Sequence, residues 1–297
     1  MSRIAVAAAA LALLAPASGS AQPAPPSWAQ AEIVLVTSNG LLGGDAASFR
    51  PDDPLTASDL AELYNAVSGQ APAIPAEPAA PVTIAALDAQ LVRGLGLSGA
   101  ARAFTNGVRA AGLAPPGRFG TEVVARLLGL RTNHPAAQDA LELRPQDVAT
   151  RAEAAYSAAR ILRFTGSEVP AVQAEAAAFG PPAVPGWQRT VLQTAVSLIG
   201  YPYVWGGTSE NPQAPFGAPV PGGFDCSGFV WRVYKLAGYA GGASLAGTLR
   251  GRTTYAMSGE VPHAERISFA ALQPADVLFF GDHGPRSRPA EVDHMGV

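Results

Sequence analysis

The chain changes character at residues 166–186, a Pro/Ala-rich stretch that carries Pro170, Pro181, Pro182 and Pro185. Before it the sequence is rich in Ala, Leu and Arg and patterned for helices. After it come aromatic residues, glycines and strand-like runs. Proline cannot continue a helix, so a domain boundary is placed here, with room for one short helix from Val172 to Phe179. At 297 residues, 48% hydrophobic and 14% charged, the chain can bury two cores. Its 32 glycines and 27 prolines predict long loops beside them. A net charge of -3 is too mild for phosphate-backbone binding by counterion release, so no nucleic-acid partner is expected.

The first residues read as a cleavable signal peptide, residues 1–21. Arg3 precedes an apolar run from Ile4 to Leu14, then Pro16 and small residues up to Ala21, with Gly19-x-Ala21 as the cleavage site. The run is shorter than the ~20 residues a spanning helix needs. The mature protein is therefore expected to be secreted, with no membrane partner after cleavage. The only cysteine is Cys226, which excludes an intrachain disulfide and a Cys-based metal site. Exported proteins normally pair their cysteines. A lone one is either buried and inert or kept because it reacts.

The first half contains an internal repeat. Arg50-Pro51-Asp52-Asp53-Pro54-Leu55-Thr56-Ala57-Ser58-Asp59 aligns without gaps with Arg144-Pro145-Gln146-Asp147-Val148-Ala149-Thr150-Arg151-Ala152-Glu153. Each copy reads as a turn followed by a Thr helix cap, with a carboxylate three residues on to complete a capping box. A fainter middle copy is assigned to Phe119–Ala125. His134 is read as a surface loop residue. The pattern over roughly 28–165, with Gly40-Leu41 and Thr150-Arg151-Ala152-Glu153, resembles S-layer homology repeats. That resemblance implies an all-α repeat domain that holds a cell-wall polymer.

The second half carries the chemistry. Trp187–Ile199 has one broad apolar face and a stop at Gly200, which predicts a helix. From Asp225 the pattern is helical again: Phe229, Val230, Val233, Leu236 and Ala237 form one face, and Gly238 ends it. With Asp225 as N-cap, Cys226 falls in the first turn, where free N–H groups and the positive dipole end favour the nucleophilic thiolate. A cysteine nucleophile needs a base, and the candidates are His134, His263, His283 and His294. His294 is preferred. It starts a strand (Val292–Val297) that would pair with one ending at Gly281, and two adjacent strands against the cysteine helix can hold an imidazole rigidly.

Tyr203-x-Trp205-Gly206-Gly207, Asp225-Cys226-Ser227-Gly228, Pro274-x-Asp276-x-x-Phe279-Phe280 and His294-x-Gly296-Val297 together resemble the NlpC-type cell-wall peptidases, over residues 187–297. The resemblance implies an α+β, papain-like domain: a helix carrying the cysteine packed on an antiparallel sheet carrying the histidine. It implies hydrolysis of peptidoglycan stem-peptide amides, commonly between γ-D-glutamyl and a diamino acid, with no metal or organic cofactor. By the same resemblance Cys226 and His294 are catalytic, Tyr203 supports the oxyanion or the nucleophile, and Asp225 and Ser227 recognise the substrate peptide. Trp205 would wall the groove.

Ala275 stands where the family usually has Gly, and 208–223 is a long insertion. The family's third polar residue normally follows on the next strand, beyond Val297. The sequence is accordingly expected to be a fragment of a longer protein, incomplete in its sheet and poorly active as it stands. An inactive wall-anchored scaffold, or an amidase or acyltransferase on the same fold, are the competing functions.

Overall fold

The computed structural model describes residues 26–71, 74–235, 250–262 and 265–297. The signal-peptide segment, His263 and the expected helix stop at Gly238 lie outside them. Among the described residues no helix is long and apolar enough to cross a membrane.

The first half is helical: α1 (Gln30–Ser38), α2 (Ala57–Ser68), α3 (Ile84–Gly94), α4 (Ser98–Ala110), α5 (Phe119–Leu127), α6 (Arg151–Leu162) and α7 (Glu168–Ala178). Three of these start on a threonine. Thr56, Thr83 and Thr150 sit in extended backbone and accept the N–H three residues on, at 3.2, 3.3 and 3.2 Å. This satisfies one of the N–H groups a helix start leaves open. The residues before the caps close a ring: Leu55 N–H donates to Ala149 O, Ala149 N–H to Val82 O and Val82 N–H to Leu55 O, at 2.8, 2.9 and 3.0 Å. The next open N–H groups are satisfied around the same cycle. Ala57 donates to Ala80 O, Ile84 to Asp147 O and Arg151 to Asp53 O.

The middle copy of the repeat therefore lies at Pro81-Val82-Thr83, not at Phe119–Ala125. The latter segment begins α5, which has no side-chain cap. Its Gly120 serves packing instead, since a methyl there would overlap the Ala101 carbonyl oxygen of α4. The Pro/Ala-rich stretch is packed as well. Val172 and Ala176 of α7 are buried in the helical core, and Phe179 meets Phe104 edge-on at 5.1 Å.

The Thr150-Arg151-Ala152-Glu153 run has two destinations. Arg151 donates to Asp59 Oδ1 (2.8 Å), Phe49 O (3.0 Å) and Leu42 O (2.6 Å), tying the last cap to the first. Glu153 does not turn back to complete a capping box as Asp59 does. Its carboxylate goes inward, to Arg131 Nη1 at 3.1 Å and His134 Nε2 at 3.5 Å. His134 is thus buried, not a surface residue, with its ring edge-on to Trp28 at 4.5 Å. Asp88 and Glu142 are buried in the same cluster, with Arg131 Nε 3.9 Å from Asp88 and the His134 N–H donating to Glu142 at 2.5 Å.

Removal from water dominates at both acids and pushes each up to about 7. A carboxyl that binds its proton more tightly folded than unfolded adds stability below its unfolded pKa. That stability is lost as pH rises through the folded value, here between about 4 and 7. Thermal melting of the helical half is therefore expected to rise as pH falls from 8 to 5.5. Asp88→Asn is expected to flatten that slope, and an unchanged slope would show that Asp88 is ionised in the fold.

The second half holds α8 (Gly186–Ser197), β1 (Thr208–Ser209), β2 (Gly223–Phe224), α9 (Cys226–Lys235), α10 (Thr254–Glu260), β3 (Leu278–Gly281) and β4 (Val292–Gly296). β1 pairs antiparallel with β2 and closes the 208–223 insertion into a loop. β3 pairs antiparallel with β4, Phe279 opposite Met295 and Phe280 opposite His294. Val191, Val230, Val233, Met257 and Met295 form the core that seats α9 on β4. Helices and short antiparallel pairs make this an α+β arrangement. Ala275 adopts φ +74°, in the left-handed region where a side chain costs about 1 kcal/mol. The turn geometry thus gives a physical reason for a glycine at this place.

Candidate active site

Asp225 is the hub. Its Oδ1 accepts the Gly228 N–H at 2.5 Å, which makes it the N-cap of α9 and sets Cys226 in the first turn. Oδ1 also accepts Ser227 Oγ at 3.1 Å and Arg252 at 3.3 Å, while Oδ2 accepts the Gly206 N–H at 3.0 Å. Arg252 further donates to Ser227 Oγ (2.8 Å) and to the Gly206 and Gly207 carbonyls (both 3.2 Å). One carboxylate and one guanidinium therefore lock the Trp205–Gly207 loop onto the cysteine helix. Gly228 permits the contact, because a methyl there would overlap the Gly207 carbonyl oxygen.

Tyr203 runs beside Phe224, bridged to it in parallel sense. The Val204 N–H donates to Phe224 O at 3.1 Å and the Phe224 N–H to Pro202 O at 3.2 Å. This holds the tyrosine hydroxyl beside Cys226, which meets it through both thiol and backbone N–H. Burial, then the neighbouring Cys226 and Asp225 charges, push the phenol up to about 12, so it stays a proton donor at neutral pH. Cys226 Sγ is half-buried and lies 3.4 Å from Thr254 Oγ1 at the start of α10.

His294, Cys226, Tyr203 and Asp225 line one open cavity of about 310 Å³. The imidazole is solvent-exposed on β4, 5.6 Å from the Phe280 ring. No hydrogen bond joins it to the sulfur in this state. Ligand-free catalytic pairs commonly tighten only around substrate. Ser227 is buried against Asp225 and Arg252 and does not line the cavity. Trp205, expected as a wall, does not line it either. Its indole is 54% exposed, and its backbone N–H donates to Asp139 Oδ2 at 2.8 Å.

Asp139 belongs to the helical half, so the loop is gripped from both sides. Sequence reading did not single out Arg252, Thr254 or Asp139. None belongs to a motif with its own spacing signal, and each acts across 25 or more positions of sequence. The helical half also holds the end of α8. Arg118 donates to Ile199 O and Ser197 O at 3.1 and 3.0 Å, and the Glu122 carboxylate fills the space beside Gly200, whose φ is +88°.

Comparison with known proteins meets the same region. Residues 200–297 match the NlpC/P60 family. A probable endopeptidase of Mycobacterium bovis is 34% identical over 100 residues, which is 34% of this chain and 20% of that protein. The gamma-D-glutamyl-L-lysine dipeptidyl-peptidase of Bacillus subtilis is 36% identical over 55 residues, 18% of this chain and 15% of that one. The probable peptidoglycan endopeptidase LytE of the same organism is 31% identical over 107 residues, 36% and 23% of the two chains. The matched part of this chain thus spans about a fifth of the length of these relatives. No solved structure matches the chain. A cysteine at a helix start, a tyrosine against it and a histidine on the neighbouring strand lie within the matched residues, and the chain carries at its C-terminus a domain of the NlpC/P60 family, whose members are cysteine-type peptidoglycan endopeptidases.

Proposed function

We propose that this protein is an exported peptidoglycan hydrolase that cleaves amide bonds in stem peptides, with the γ-D-glutamyl–diamino acid bond as its target. The observation that carries the reading is the single cavity lined by Cys226, Tyr203 and His294. The Bacillus dipeptidyl-peptidase, named for a γ-D-glutamyl-L-lysine bond, supports the choice of target. The packing of α9 on β4 supports reading the domain as papain-like, with a cysteine helix against a histidine strand.

In this mechanism His294 takes the thiol proton and the Cys226 thiolate attacks the amide carbonyl carbon. The Cys226 N–H and the Tyr203 hydroxyl stabilise the oxyanion. The C–N bond breaks as His294 returns the proton to the leaving amine. Water, deprotonated by the same imidazole, then hydrolyses the thioester and restores the thiol. Asp225 and Ser227 shape the peptide-binding side by fixing the Gly206 and Gly228 backbones and Arg252. Trp205 offers an exposed stacking surface beside the groove. The helical region 28–165 holds the chain to a wall polymer.

Digestion of purified sacculi tests the activity. New amino termini on the diamino acid are expected, and unchanged sacculi would remove the hydrolase reading. Retention of Cys226→Ala protein on sacculi tests the anchoring role, and its absence would remove that role alone.

A further inference from the structure

The cavity around Cys226 has a wall that the C-terminal half does not supply. Arg126, in the last turn of α5, and Asn133, in the loop beyond it, line it together with the catalytic candidates. The Arg126 guanidinium makes only long contacts, Nη2 to Gly200 O at 3.4 Å and Nη1 to Asn133 Oδ1 at 3.5 Å. Among the described residues it forms no ion pair, whereas Arg131, Arg144, Arg151, Arg232 and Arg252 each do.

Docking of the two halves does not need this residue. Arg118 already holds the end of α8 through two shorter bonds, and Gln193 grips both backbone atoms of Ala114 at 2.7 and 2.9 Å. The nearby acids Glu122 and Asp88 are buried, burial raises both above the ordinary carboxylate range, and neither lies within ion-pair distance of the guanidinium. A partly desolvated guanidinium with spare N–H donors is suited above all to a carboxylate.

We infer that Arg126, steered by Asn133, binds a carboxylate of the stem peptide, so that the helical half forms part of the substrate groove. The inference rests on the stem-peptide reading above. A γ-linked glutamyl residue keeps its own α-carboxylate free beside the attacked carbonyl, and the diamino acid carries another on the leaving side. Either lies within a short chain of the reacting carbon, as the shared cavity requires. On this view the helical region acts in choosing substrate as well as in holding the wall.

The test is binding, measured calorimetrically on the full chain carrying Cys226→Ala. The probes are an L-alanyl-γ-D-glutamyl-diamino acid peptide and its two singly amidated forms, one at each carboxylate. One amidation is expected to weaken binding about tenfold or more. Arg126→Gln should weaken the free peptide by the same factor and erase the difference, while Arg126→Lys should keep part of it. The idea is overturned if neither amidation matters, if none of the peptides binds, or if Arg126→Gln weakens all three equally. That last pattern, shared with Arg118→Gln, marks a docking residue. Sacculus digestion by the parent chain is scored separately, so a missing activity and a missing carboxylate preference are told apart.

Discussion

Replacing Cys226 with alanine is expected to lower stem-peptide hydrolysis by at least about 10⁴-fold while leaving the fold intact. The thiol is the chain's only sulfhydryl, and alanine leaves the cavity no comparable nucleophile. Its structural contribution is small. Sγ is half-buried, with Thr254 Oγ1 at 3.4 Å and the Tyr203 hydroxyl as its polar neighbours, so losing it opens little apolar space. Release of amino termini from sacculi measures the first effect and thermal melting the second. His294→Ala should fall to a similar floor, and the double variant no further, because a nucleophile and its base act as one unit. Residual hydrolysis within tenfold of the parent would place the chemistry elsewhere.

Gly228→Ala is expected to damage both stability and rate. The added methyl meets the Gly207 carbonyl oxygen and has Arg252 and Asp225 at 2.7 and 2.9 Å on its other sides. The backbone oxygen cannot swing away as a side chain can. α9 must therefore lift off the Trp205–Gly207 loop, loosening the Asp225 and Arg252 bonds that lock them together. Overpacking of this kind costs about 1–3 kcal/mol. A displacement of Cys226 from Tyr203 by about 1 Å can lower turnover on the order of 100-fold. Gly259→Ala in α10 is the control, since its methyl meets nothing closer than 3.4 Å. Equal melting temperatures and equal rates for the two variants would show that the loop yields freely.

What could be read in the sequence was what local chemistry dictates. Asp225 as a cap, the cysteine in the first turn, and the pairing of the His294 strand with the one ending at Gly281 follow from periodicity and turn residues. Thr56 and Thr150 were legible because each is followed by a carboxylate and preceded by a proline turn. Thr83 escaped notice because Ala86 stands where those acids are, and the cap survives on its hydroxyl alone. His134 looked like a loop residue because its burial depends on Trp28 and Glu153, distant in sequence. Trp205 is expected as a wall because it shares a motif with Tyr203, which does line the cavity. Yet it is the backbone of this residue that the fold uses, through Asp139.

The ring through Leu55, Val82 and Ala149 has a further consequence. A linear array of repeats frays from its ends, where each terminal unit has one neighbour. A closed cycle has no end to fray. Releasing any one of the three segments breaks two of the three bonds at once, so the assembly is expected to unzip as a single cooperative unit. It also means that during synthesis the bond between the first two segments can form early, but the ring cannot close until the last segment has emerged, and the long loop closed by that final contact makes its assembly a late event.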